Sequence, residues 1–188
     1  MTTAPARYAF TVDDWHRMGQ AGLFGGDARV ELLGGEVVLM SPVGDAHIRC
    51  VNRLTRLLAQ RVDDKAVVSV QNPVILDHLS EPQPDLALLE PPLEAPCPRP
   101  AADVLLVVEV ADTTLGWDRD HKAILYARSG IPLTWIVDLE GQEVLVLREP
   151  APNGYLVQER APRGGHLVLP GLFDLGVDDV LGPPTARA

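Results

Sequence analysis

Cysteine is scarce in this 188-residue chain, occurring only as Cys50 and Cys97. Two thiols cannot build a disulfide framework, and no Cys/His spacing of a metal-holding kind is present. Long apolar runs are also missing. No stretch approaches the roughly 20 residues needed to span a bilayer, and Met1 to Phe10 lacks the apolar core of a secretory signal. These absences read as a cytoplasmic protein with no membrane part. Neither common Gly-rich phosphate loop occurs. Ser41, Cys50 and Cys97 have no evident base partner, so nucleophilic catalysis has no support. Basic charge is thin as well: 16 Lys and Arg face 26 Asp and Glu, for a net charge of -10. That balance excludes a broad, nonspecific nucleic-acid binder, which depends on clustered cations. It leaves room for a small site with a local basic patch, where some of the surplus acid awaits a divalent cation.

What is present suits one domain of ordinary size. A hydrophobic fraction of 46% is enough to bury a core without staples. Residues 11–182 read as that single domain, between a flexible N-terminus (1–10) and a Pro-rich, disordered tail (183–188). Thr11 with Asp14 three residues on predicts a capped helix from about Val12 to Gln20. Arg29 to Leu33 and Glu36 to Met40 flank Gly34-Gly35, a hairpin signal. Asp45 to Val62 has helical spacing, with Asp45 as the expected N-cap. Short strands are expected at Ala66 to Val70, Pro73 to Leu76 and from Pro84 to Leu89. The five prolines between Glu90 and Ala102 predict an irregular surface loop. A helix from about Asp118 to Ser129 and strands at Leu133 to Val137 and Val144 to Leu147 follow. Tyr155 to Glu159 and His166 to Leu169 read as a peripheral strand pair. The order describes a mixed α/β chain with one central sheet.

The sharpest signal is Val104-Leu105-Leu106-Val107-Val108-Glu109-Val110-Ala111, a strand buried on both faces that carries an acid. An unpaired carboxylate there costs roughly several kcal/mol. Asp85 opens another strand-like run, and if the two strands are neighbours it faces Glu109 across the sheet. Two such carboxylates repel unless a cation lies between them. Mg²⁺ takes one or two carboxylates and fills its shell with water and phosphate oxygens. Pairing of Glu109 with Lys122 or an arginine at the wet end of the strand is an equally good reading. Asp118, Lys122 and Tyr126 share one helix face by spacing. Lys122 could stabilise charge on a phosphate, or form an exposed pair with Asp118. His47 at a helix start and Gln71 at a strand end could reach the same site. Glu31 and Glu36 flank the hairpin, where a solvated face explains them and a supporting ligand role is the minority reading. Arg49, Arg53 and Arg56 suit a solvated helix face.

These residues resemble a known family. Glu31-Leu32-Leu33-Gly34-Gly35-Glu36 running into Met40-Ser41-Pro42, with His47 beyond, is similar to its N-terminal signature. Gln71, Pro73-Val74 and Pro84-Asp85 are similar to its middle. Glu109 to Thr114, Asp118-Arg119, Lys122, Tyr126, Gly130-Ile131-Pro132 and Trp135 to Asp138 are similar to its most distinctive segment. The family is the restriction endonuclease domain family expanded in cyanobacteria, within the PD-(D/E)XK nuclease superfamily. The resemblance implies a restriction-endonuclease-like core, a mixed central sheet flanked by helices, with the N-terminal helix and hairpin added. It implies Asp85 and Glu109 as Mg²⁺ ligands, with Mn²⁺ as a substitute. Ala111 stands where the superfamily pattern has lysine, and Lys122 matches a lysine moved onto the next helix. The expected activity is a Mg²⁺-dependent endonuclease on double-stranded DNA, acting as a homodimer. Asp85, Glu109 and Lys122 carry the chemistry, with Gln71, His47 and Glu36 contributing. The alternatives are an inactive nuclease-fold module that binds nucleic acid, and a protein-interaction module with an acidic surface.

Overall fold

Thr11 starts the first helix by reciprocal capping. Its hydroxyl accepts from the Asp14 amide at 3.1 Å, and the Asp14 carboxylate accepts from the Thr11 amide at 3.1 Å. This computed structural model describes residues 7–25 and 28–183, so the expectations for residues 1–6 and 184–188 lie outside the described residues. Phe10 is tied to the hairpin, its amide donating to Gly35 O at 2.9 Å.

Helix α1 (Val12–Gln20) precedes the hairpin of β1 (Val30–Leu33) and β2 (Glu36–Leu39). Leu33 pairs with Glu36 around the two-glycine turn, where both glycines have positive φ. A side chain at Gly35 would also meet Ala9, with Cβ atoms 2.6 Å apart. Next come α2 (Asp45–Val62), β3 (Val67–Val70), β4 (Val74–Ile75), β5 (Leu86–Leu89), β6 (Arg99–Pro100) and β7 (Val104–Ala111). Gly44, not Asp45, is the N-cap of α2, without a side-chain cap bond. The proline-rich segment is more ordered than expected: β6 pairs in parallel with β4. The Arg99 guanidinium is buried, and it holds Asp103 at 2.7 Å and the carbonyls of Pro92 and Glu90.

The second half runs α3 (Leu115–Trp117), a π-helical turn (Asp118–Lys122), α4 (Ala123–Arg128), β8 (Leu133–Asp138), β9 (Glu143–Ala151) and β10 (Gly154–Pro162). It ends with β11 (His166–Leu169), β12 (Phe173–Gly176) and α5 (Val177–Leu181). The expected pairing of the last strands is corrected. β10 pairs with β9, whereas β11 pairs with β12, a strand whose sequence gave no clear signal.

Among the described residues, six strands form the central sheet in the order β10-β9-β8-β7-β5-β3. β7 lies parallel to β8 and antiparallel to β5, so the sheet is mixed. Alternation along β7 sorts its side chains between two layers. Leu106, Val108 and Val110 join Leu54 and Leu58 of α2 and Val180 of α5 in one core. Val107 and Ala111 join Ala123, Tyr126 and Ala127 of α4 in the other. Glu109 belongs by parity to the α4 side. No helix among the described residues is long and apolar enough to cross a membrane.

The two thiols occupy opposite settings. Cys50 is buried against α5 and bonds to Val180 O at 3.7 Å, while Cys97 is exposed. Burial pushes the Cys50 thiol up to about 12, against the weaker pull of Arg53. The thiolate is the reactive form, so at pH 8 a disulfide reagent should titrate Cys97 quickly and Cys50 only after unfolding. Equal rates at both thiols in the native protein would contradict this packing.

Candidate active site

Strand register creates the acid pair. β5 and β7 are antiparallel with Leu86 opposite Val108, and the same register carried one step further sets Asp85 opposite Glu109. Directly opposed residues of an antiparallel pair share a face, with Cβ atoms about 5 Å apart. Both acids are nearly inaccessible, Asp85 at 9% and Glu109 at 3% exposure. Both line a cleft of about 690 Å³ between the hairpin, the start of α2, the end of β7 and the π-helical turn.

Asp85 is held by two donors. His47 Nε2 lies 3.0 Å from Asp85 Oδ2, and the Val110 amide donates to the same oxygen at 2.8 Å. A Cβ at Gly44, the cap of α2, would meet Asp112 Oδ2 at 2.9 Å, and His47 in the first turn reaches Asp85 just before β5. Nδ1 of the ring is buried without a partner among the described residues.

Glu109 is held by the opposite wall. Lys122 Nζ stands 2.8 Å from Glu109 Oε1, and the Tyr126 hydroxyl donates to that oxygen at 2.5 Å. Lys122 also pairs with Glu31 Oε2 at 3.3 Å, and Glu31 accepts from the Gln83 amide at 3.2 Å. The expected exposed Asp118–Lys122 pair is therefore replaced by a buried cation between two carboxylates. Lys122 is the last residue of the π turn, in which the Ala123 amide donates to Asp118 O, five residues back. Such turns cost regular helix geometry and recur at functional sites. Here Asp118 and Lys122 are both buried, and Thr114 Oγ1 donates to Asp118 Oδ2 at 2.6 Å.

Electrostatics follow from burial. Desolvation raises the Glu109 carboxyl to about 8, opposed by Lys122 and assisted by Asp118 and Asp85. Burial alone would lower Lys122, but Glu109 and Glu31 outweigh it and raise the ammonium above its usual value. Burial also raises Asp118, against its Thr114 bond, and raises Tyr126 well above a free phenol. An ionised Glu109 therefore depends on positive charge beside it.

Two of the expected residues lie elsewhere. Glu36 is exposed on the hairpin and pairs with Arg7 at 3.1 Å. β2 is the less buried strand of the hairpin, with Glu36 exposed at its start while its register partner Leu33 on β1 is buried. The Gln71 side chain does not line the cleft; its backbone receives Gln83 Nε2 and donates to Asp85 O. Glu31, for which a solvated face was the main expectation and a supporting role the minority one, is buried in the network, and Gln83, Asp118 and Tyr126 complete it. A signal for Glu31 was available: an acid flanked by Val30, Leu32 and Leu33 carries the same argument that singled out Glu109.

The oxygens Asp85 Oδ1 and Glu109 Oε2 accept no hydrogen bond among the described residues. Two carboxylates with a spare oxygen each, in an oxygen-only donor set, fit a hard dication. No cluster of three or more His, Cys, Asp or Glu residues that could hold a metal occurs among the described residues. Mg²⁺ suits such a partial set, because it retains waters and takes substrate oxygens.

The profile of the Uma2 family, described as "Putative restriction endonuclease", matches residues 12–179. The chain belongs to this family. The matched Uma2 span contains every residue of the network above, from Glu31 to Tyr126. The family places the chain among nucleases, hydrolases of phosphodiester bonds whose substrate is nucleic acid. Among solved structures, the chain is similar to a "putative nuclease belonging to DUF820" from Anabaena variabilis. That match has a TM-score of 0.69 and 12% identity, covering 92% of this chain and 97% of the other. It establishes the restriction-endonuclease fold expected from the sequence. No curated protein matches the chain.

The Lys122 clamp carries a stability prediction. Lys122→Met leaves Glu31 and Glu109 buried without their cation. Removing one partner of a buried pair costs about 3–5 kcal/mol, so urea unfolding in EDTA should show a loss of that order. Glu109→Gln in the same chain should restore part of it. A loss within the range of an exposed pair, below about 1 kcal/mol, would contradict the clamp.

Proposed function

We propose that the protein is a Mg²⁺-dependent endonuclease that hydrolyses phosphodiester bonds in DNA, with Mn²⁺ able to replace Mg²⁺. The observation that carries this reading is the juxtaposition of Asp85, one residue before β5, and Glu109 on β7 at the floor of a cleft, beside a buried lysine. Family membership supports the reaction class.

Asp85 and Glu109 would hold the cation. When bound, it would polarise a phosphate oxygen and lower the pKa of the attacking water. The remaining work falls to the chain itself. His47 and the Val110 amide fix one Asp85 oxygen, which aims the other at the cleft. Lys122 and Tyr126 do the same for Glu109. The Lys122 ammonium also sets positive charge close to the place where a phosphate gains charge in the transition state. Glu31 keeps that ammonium from folding back wholly onto Glu109. A homodimer would set two such clefts about a two-fold axis, the commonest symmetry of soluble assemblies.

The test is nicking of supercoiled plasmid in Mg²⁺, read beside Mn²⁺ binding by calorimetry. Asp85→Asn should abolish both nicking and saturable Mn²⁺ binding while leaving the fold intact by circular dichroism. His47→Ala removes an orienting partner rather than a ligand and should weaken metal affinity or activity about 10–100-fold. Wild-type nicking by Asp85→Asn would overturn the site assignment.

A further inference from the structure

The mouth of the cleft differs in chemistry from its floor. The floor carries five acids: Glu31, Asp85, Glu109, Asp112 and Asp118. Among the described residues, Arg29 and Lys122 are the Lys and Arg side chains that line it, and Lys122 is already paired with two carboxylates. The rim instead exposes apolar surface. Leu39 is 74% exposed, Val43 39% and Trp117 39%, and all three line the same cleft. The Trp117 indole lies nearly parallel to the His121 ring, with centroids 4.2 Å apart and 16° between planes. His121 thus supports one side of the indole and fixes the ring at the cleft edge. Trp117 is followed directly by Asp118, so the π turn that places Lys122 also places this indole.

Affinity for regular duplex comes mainly from several Lys or Arg contacts to phosphates. This cleft offers too few, and its acids repel a backbone that approaches without a cation. An exposed aromatic ring offers the other source of affinity: stacking on a base, which needs the base unpaired and turned outward. We infer that the cleft takes an unpaired stretch of DNA, with one base stacked on Trp117 and packed against Leu39 and Val43. Duplex then serves as the carrier of a gap, flap or melted segment, and the unpaired nucleotide beside the scissile phosphate is what the site grips. This inference rests on the nuclease reading for its substrate, but it concerns binding and is separable from cleavage.

The experiment compares a single-stranded DNA oligomer with the blunt duplex of the same sequence, using wild type, Trp117→Phe and Trp117→Ala. Binding is read with Ca²⁺ in place of Mg²⁺, so that the acids have a cation, by fluorescence anisotropy of the labelled DNA and by quenching of the tryptophan emission. The single strand should bind at least about tenfold tighter than the duplex. Loss of one stacked base is worth about 1–3 kcal/mol, so Trp117→Ala should weaken single-strand binding about 5- to 150-fold. Trp117→Phe, which keeps a ring, should recover most of that loss, a pattern that general destabilisation does not produce. Equal or tighter duplex binding, unchanged single-strand affinity in Trp117→Ala, or no binding of either DNA would overturn the inference. Binding that follows this pattern without any nicking in Mg²⁺ would instead sink the nuclease reading and leave the inference standing. Nicking of intact duplex that is insensitive to Trp117→Ala would do the reverse.

Discussion

A buried ammonium holds this site together. Lys122 reaches Glu109 on the central strand and Glu31 on the N-terminal hairpin, so one charge joins the hairpin, the sheet and the helix after β7. None of these groups is stable there alone. An isolated buried charge is expensive, and a buried pair is worth keeping only when its geometry and hydrogen bonds are complete. Here Tyr126 and the Gln83 amide supply the remaining bonds. Stability and function therefore use the same atoms, and the hairpin becomes part of the site through Glu31 rather than through its exposed face.

The second constraint is the antiparallel register of β5 and β7. Carried one residue beyond the start of β5, it sets Asp85 opposite Glu109, and His47 and the Val110 amide hold it there. The same alternation that sends Val107 and Ala111 into the α4 layer sends Glu109 there too, which is why the lysine must come from that helix. Asp118 opens the π turn and Lys122 closes it, four residues on. The π turn keeps both side chains buried.

Sequence reasoning reached the central strand because eight residues with one acid among apolar neighbours have few interpretations. It reached Asp85 because that acid opens a neighbouring strand-like run, and Lys122 from its place on the following helix, to which the family likeness added the reading of a moved lysine. The π turn was hidden because Asp118, Lys122 and Tyr126 are four residues apart in either helix type. Glu36 was misplaced because a hairpin's pattern gives two faces but not which one meets the core. Gln71 contributes only backbone, which no side-chain pattern reveals. β12 and α5 escaped because Phe173 to Leu181 is short and interrupted by acids, and it is defined by contacts with β11 and α2. Arg99 looked like part of an irregular loop, yet its guanidinium caps three carbonyl and carboxylate groups that order that loop.

The central claim is that Asp85 and Glu109 share one divalent cation. The most direct measurement is anomalous diffraction from crystals of the wild-type protein soaked in Mn²⁺. The account predicts one strong peak in the cleft, about 2 Å from a carboxylate oxygen of each residue, with Lys122 still in contact with Glu109. A peak bound by neither acid, or none in the cleft at saturating Mn²⁺, would contradict it.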